Sequence, residues 1–222
     1  MISIVPEVLD AATLSRLREL VAGGAFVDGK VTAGPRARRV KKNEMMEESP
    51  AMAEARGLIL ARLNANRLFT RVAFPKRCQP PMINRYGPDM EYGPHVDNAL
   101  IGKQPALRTD MSATIFISDP GDYDGGELAI ESDFGRHLIK RPAGQMVVYP
   151  SSSLHRVMPV ARGTRIVAVT WVESYVRDPA KRQILFDLER ARAKLNELAP
   201  TSPEADLAFK AYTNLMRMWA ET

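Results

Sequence analysis

Between Ala73 and Trp171 the chain breaks into short β-rich runs separated by turn clusters. The runs are Pro81–Tyr86, Ser112–Ile117, Glu127–Ile130, His137–Ile139, Gln145–Tyr149 and Arg165–Trp171. Gly-Pro, Asp-Pro-Gly, Asp-Gly-Gly and Pro-Ala-Gly stand between them, and such clusters break regular structure. A parallel α/β sheet would need crossover helices between its strands, for which the gaps are too short. Many short strands at this spacing predict an all-β sandwich or barrel, a group that includes jelly rolls. The core is therefore expected at about residues 73–173.

The flanks read as helices, which makes the whole chain mainly β with added helices, an α+β fold. Leu14, Leu17, Leu20 and Val21 recur at helical spacing after a candidate N-cap, Asp10, and Gly23-Gly24 ends the run. Ala25–Val31 reads as a strand broken by an Asp28-Gly29 turn. A second helix is expected from Ser49, with Pro50 in its first position, to about Phe69. Asp178-Pro179 and Ser202-Pro203 open two more helices, with Pro200 between them. These make a C-terminal helical hairpin that either covers the β core or forms an oligomer contact. The expected division is residues 1–177 and a C-terminal segment, 178–222.

At 222 residues the chain is long enough to bury one sizeable core. No apolar run reaches the roughly 18 to 20 residues a membrane span needs. Met1–Pro6 lacks a basic n-region and a cleavage site, which argues against a signal peptide. The single cysteine, Cys78, excludes an internal disulfide and fits a cytoplasmic setting. The net charge is +5, and Arg36, Arg38, Arg39, Lys41 and Lys42 supply five of the positive charges in one short run. With no nucleic-acid motif or interleaved aromatics beside it, that run is read as a solvated loop or a charged strand edge rather than a nucleic-acid site.

Chemistry concentrates at His95-Val96-Asp97. In a strand, side chains two apart share a face, so His95 and Asp97 can present an imidazole and a carboxylate to one ion. Tyr86-Gly87-Pro88 and Tyr92-Gly93-Pro94 place the pair just after a turn. A second cluster, Ser151–Val157, carries His155 and leads into the strand that begins at Arg165. Two histidines and one carboxylate leave coordination positions open, which is the ligand set of non-heme Fe(II) sites. If the intervening hairpin pairs about residue 160, His155 and Arg165 lie opposite each other, and Arg165 could hold an anionic co-substrate beside the metal. His137 has no acidic partner at spacing two and is read as a hairpin residue.

His95-x-Asp97, His155 and Arg165 in a β-rich core resemble the double-stranded β-helix (jelly-roll) dioxygenases that use Fe(II) and 2-oxoglutarate. More closely, the chain resembles PKHD-type hydroxylases, relatives of the prolyl 4-hydroxylase catalytic domain. The likeness rests on Asn84-Arg85-Tyr86, Tyr92–Asp97, Arg108–Thr114, Tyr123–Leu128, Tyr149–His155 and Arg177–Arg182. It implies that His95, Asp97 and His155 bind Fe(II) and that Arg165 pairs with the distal carboxylate of 2-oxoglutarate. Tyr86 is then a hydroxyl donor to the same carboxylate, with core packing as its plain alternative. Thr114 is a weaker candidate for the site, and Arg156 is either a substrate contact or a surface charge. The family reaction couples O2 and 2-oxoglutarate to succinate, CO2 and a hydroxylated substrate, a small molecule or a protein residue, with L-ascorbate as a further expected cofactor. The competing reading is a jelly-roll metal protein, such as a sensor or a cupin-like isomerase, without dioxygenase turnover, which leaves Arg165 without a role.

Overall fold

The computed structural model describes residues 1–32, 34–102 and 104–222. Two antiparallel sheets face each other. The larger has eight strands, ordered Ser3–Val5, Met146–Pro150, Met111–Phe116, Arg165–Ser174, Met82–Tyr86, Glu44–Met46 and Phe26–Asp28, with Pro75–Cys78 also paired to Arg165–Ser174. The smaller runs Gly135–Ile139, Leu128–Ser132, His155–Val157, Glu91–His95 and Lys41–Lys42. The expected β core with flanking helices is the observed α+β architecture.

Among the described residues six helices accompany the sheets: α1 (Ala11–Ala22), α2 (Pro35–Arg38), α3 (Pro50–Ala65), α4 (Arg67–Ala73), α5 (Pro179–Leu198) and α6 (Pro203–Trp219). Leu17, Met52, Ile59, Leu63 and Phe69 from α1, α3 and α4 form one buried cluster with Ile83, Ala113, Ile115, Val148 and Ala168 of the larger sheet. The alternate residues of those strands join a second cluster between the sheets, including Phe116, Tyr123, Leu128, Ile130, Val147, Val157 and Val167. Met111–Phe116 is therefore buried at every position, as a strand covered on both faces must be. α5 and α6 pack through Leu185, Tyr212, Leu215 and Trp219 around Phe74 and Val176, so the helical hairpin docks on the core.

Three local expectations are corrected. The helix expected from Ser49 to about Phe69 is two, because Asn66 leaves helical geometry and its side chain caps α4 by accepting from Phe69 N. Asp28-Gly29 does not turn a hairpin; the strand Phe26–Asp28 runs into a short 3-10 turn, Gly29–Thr32, where Asp28 accepts from Lys30 N. Third, His155 and Arg165 do not share a hairpin. His155 pairs with His95 and Ile130 in the smaller sheet, whereas Arg165 pairs with Tyr86 in the larger. The chain changes sheets between them, through the strand Val160–Gly163 paired with Tyr123–Gly125.

Candidate active site

A cavity of about 460 Å³ lies between the sheets, lined among others by His95, Asp97, His155, Arg165, Tyr86 and Lys41. The smaller sheet supplies both imidazoles, on neighbouring strands and directly opposite each other. One ligand atom from each of His95, Asp97 and His155 lies within 4.8 Å of the others, the one such His/Cys/Asp/Glu group among the described residues. Each histidine Nε2 is 3.8 Å from an Asp97 oxygen.

Both imidazoles are held by backbone carbonyls two residues earlier. His95 Nδ1 is 2.8 Å from Gly93 O and His155 Nδ1 is 3.0 Å from Ser153 O. A carbonyl only accepts, so each Nδ1 carries the proton and each Nε2 keeps a free lone pair turned toward Asp97. Burial, together with the neighbouring His155, pushes the His95 pKa down to about 4, so the ring is neutral at pH 7 and able to ligate. Tyr92 stacks on His95 with ring centroids 3.6 Å apart, and Tyr149 meets His155 edge-on at 5.1 Å. Burial raises both phenols, Tyr149 well above its ordinary value, and the Asp97 charge adds to each shift, so both stay protonated. Ser112 donates to Asp97 Oδ2 at 2.5 Å and lies 2.8 Å from Ser151 Oγ. Three groups that can coordinate a cation are thus oriented by the protein around one point, which fits the donor set of an iron site.

Arg165 projects into the same cavity from the opposite sheet. It is 1% exposed, and its Nε and Nη1 are buried with no hydrogen-bond partner among the described residues. No carboxylate of the described residues pairs with it. The guanidinium sits over the Tyr86 ring, 5.0 Å from the centroid, and near Phe116 at 5.9 Å. An unpaired buried cation is costly, and an anion entering the cavity would offset that cost. Gly126, at φ +66°, lets the loop press on it: a Cβ there would lie 3.1 Å from Arg165 Cδ and 3.0 Å from Val160 Cγ2. Tyr86, directly opposite Arg165 in register, is buried beside it.

The remaining candidates separate. Thr114 lines the cavity. Arg156 pairs with Glu91 at 3.1 Å, and Asp124 pairs with Arg162 at 2.8 Å in solvent. His137 is exposed, with Nε2 2.9 Å from Ser132 Oγ. Sequence reasoning missed Ser112, Ser151 and Lys41. Polar residues at inward positions of an apolar strand were the available signal for Ser112. The strand-edge alternative for the basic run describes Lys41-Lys42, on the edge of the smaller sheet, but Lys41 is only 7% exposed and lines the cavity, which the sequence did not indicate.

Comparison with known proteins agrees with this geometry. Residues 81–173 match the 2OG-Fe(II) oxygenase superfamily, and residues 179–221 match the PKHD-type hydroxylase C-terminal domain. A PKHD-type hydroxylase of Xanthomonas campestris pv. campestris (strain B100) is 42% identical over 227 residues, covering 100% of both chains. One of Synechococcus sp. (strain JA-2-3B'a(2-13)) is 45% identical over 223 residues, again covering 100% of both. Among solved structures, a Pseudomonas putida prolyl-4-hydroxylase superposes with a TM-score of 0.55 at 22% identity, covering 78% of this chain and 92% of that one. The chain belongs to the PKHD-type hydroxylases, Fe(II)- and 2-oxoglutarate-dependent dioxygenases of the 2OG-Fe(II) oxygenase superfamily.

Proposed function

We propose that His95, Asp97 and His155 hold the Fe(II) and that Arg165 receives the distal carboxylate of 2-oxoglutarate. The observation that carries this reading is the pairing, in one cavity, of three pre-oriented ligands with a buried cation that has no protein counterion. Iron supplies the redox chemistry that couples O2 and 2-oxoglutarate to hydroxylation. The chain's own residues do the rest. Gly93 and Ser153 carbonyls fix the imidazole tautomers, and Ser112 fixes the Asp97 carboxylate, itself oriented by Ser151. Arg165 offers a planar fork that stays charged in a buried site and suits a carboxylate. Tyr86 is the proposed hydroxyl donor to that same carboxylate, a role supported by its place beside Arg165.

The substrate is a small molecule or a protein residue. Ascorbate is the proposed auxiliary reductant. A cytoplasmic setting is supported by the lone free Cys78, and no helix among the described residues is long and apolar enough to cross a membrane. Residues 1–177 form the proposed dioxygenase unit, with 178–222 as its docked appendage. The exposed Leu207, Phe209 and Met218 of α6 support self-association through this appendage. The test of the ligand assignment is succinate formation by His95→Ala, Asp97→Ala and His155→Ala. Each folded variant is expected to lose it, and full turnover by any one would remove that residue from the metal site.

A further inference from the structure

The basic run holds one residue that the iron and 2-oxoglutarate reading does not use. Lys41 sits on the edge strand of the smaller sheet, opposite Tyr92, with its Nζ 5.2 Å from that ring's centroid. Gly93 makes this approach possible: its N donates to Val40 O at 2.8 Å, and a Cβ there would lie 2.8 Å from Val40 Cβ. The ammonium donates to Thr32 Oγ1 at 3.2 Å. No carboxylate of the described residues lies within ion-pair distance of it; Asp28 and Asp97 are the acidic groups whose charge it feels. A lysine ammonium has three N–H donors, and among the described residues only Thr32 accepts from it.

Charge balance says what those donors are for. On the reading that Fe(II) and 2-oxoglutarate occupy the site, the charges of the iron and Arg165 are matched by Asp97 and the two carboxylates of 2-oxoglutarate. Lys41 then remains as a surplus positive charge in the same cavity. The walls near the mouth are largely apolar, with Met82, Leu100, Ile101 and Trp171. Outside, Arg36, Arg38 and Arg39 form no ion pair among the described residues, which favours the approach of anions. We propose that Lys41 selects the substrate: the hydroxylated compound carries a carboxylate or equivalent oxyanion on an apolar body, and Lys41 receives it. This rests on the iron and 2-oxoglutarate reading of the same cavity.

The test uses the full chain loaded anaerobically with Fe(II) and 2-oxoglutarate. The charge-transfer band is recorded first, and its absence in the wild type would overturn both readings before any probe is added. The probes are hexanoate, benzoate, phenylacetate and 3-phenylpropanoate, their matched primary amides, and acidic tripeptides with an apolar neighbour. Binding is read as a perturbation of the band and as a thermal shift. Carboxylates are expected to bind and amides not, with Lys41→Met weakening the carboxylates by about tenfold or more and Lys41→Arg restoring part of the loss. The half-saturating 2-oxoglutarate is expected to be unchanged in Lys41→Met. Binding by the tripeptides alone, N-acetylated and C-amidated so that the side chain is their one carboxylate, and weakened in Lys41→Met, would assign the anion to a protein side chain and still support Lys41. Equal carboxylate binding by wild type and Lys41→Met, no binding by any probe, or a weakened 2-oxoglutarate titration in Lys41→Met would overturn the proposal.

Discussion

The two faces of the larger sheet are made from alternate residues of the same strands, yet they differ in character. The outer face presents Ile83, Ala113, Ile115, Val148 and Ala168 to α1, α3 and α4 in one buried apolar cluster. The inner face presents Ser112, Thr114, Asn84, Tyr86 and Arg165 to the cavity. Residues 112 and 114 alternate with 113 and 115, so a one-residue register slip would exchange a core for a site. The outer face maximises buried apolar area, the main stabilising term in folding. The inner face leaves Arg165 Nε and Nη1 buried without hydrogen-bond partners among the described residues. Labour is divided within one sheet: stability comes from one face, and the other carries the cost of buried polar groups that face the cavity.

That division can be broken by single substitutions. The largest expected effect is from Asp97→Ala, which should abolish iron binding and succinate formation, measured by metal analysis and turnover, while the folded fraction stays high. Next is Ile115→Ala on the outer face, expected to cost about 2–5 kcal/mol of unfolding free energy. Its folded molecules should still show the wild-type iron and 2-oxoglutarate titration. If Ile115→Ala altered the titration as strongly as an inner-face change, the faces would not be separable.

Smaller effects sharpen the contrast. Ser112→Ala removes the donor to Asp97 and is expected to weaken metal affinity by about 10–100-fold, measured by competition with a chelator, with little change in unfolding midpoint. Lys41 gives a pH signature. Burial lowers its pKa from 10.5 to about 8, against the pull of Asp28 and Asp97. The unfolded chain therefore holds this proton more tightly than the folded one, and stability attributable to the group rises with pH between about 8 and 10.5. Below that window the buried charge is a cost, so Lys41→Met is expected to raise the apo protein's unfolding midpoint slightly at pH 7. The gain should shrink toward pH 10.5. A midpoint lowered at pH 7 would mean that the ammonium is structurally compensated.

The clustering of His95, Asp97 and His155 was readable because its signal is local: His95-x-Asp97 puts two side chains on one face of a strand, and His155 and Arg165 stand in recognisable company. The α+β class was readable from the short runs and their turns, and the helical hairpin from two proline-led starts. What could not be read depends on which strands become neighbours. The pairing of Arg165 with Tyr86 rather than with His155 is set by the sheet change near Val160–Gly163, and no periodicity reports a sheet change. The burial of Lys41 on its charged strand edge was not readable because it comes from pairing with Tyr92, far along the chain, and from Thr32. The break at Asn66 was missed because Leu68 and Phe69 continue the apolar spacing across it.

Arg165, buried and without a carboxylate partner among the described residues, is proposed to hold the co-substrate. The most direct measurement is anaerobic titration of 2-oxoglutarate into the Fe(II)-loaded protein, following the charge-transfer band, for the wild type and Arg165→Met. The half-saturating concentration is predicted to rise by about thirtyfold or more in the variant, with iron still bound and the unfolding midpoint of the apo protein unchanged or higher. A variant with the wild-type half-saturation would contradict the claim, as would one that loses its fold because Arg165 was a structural residue.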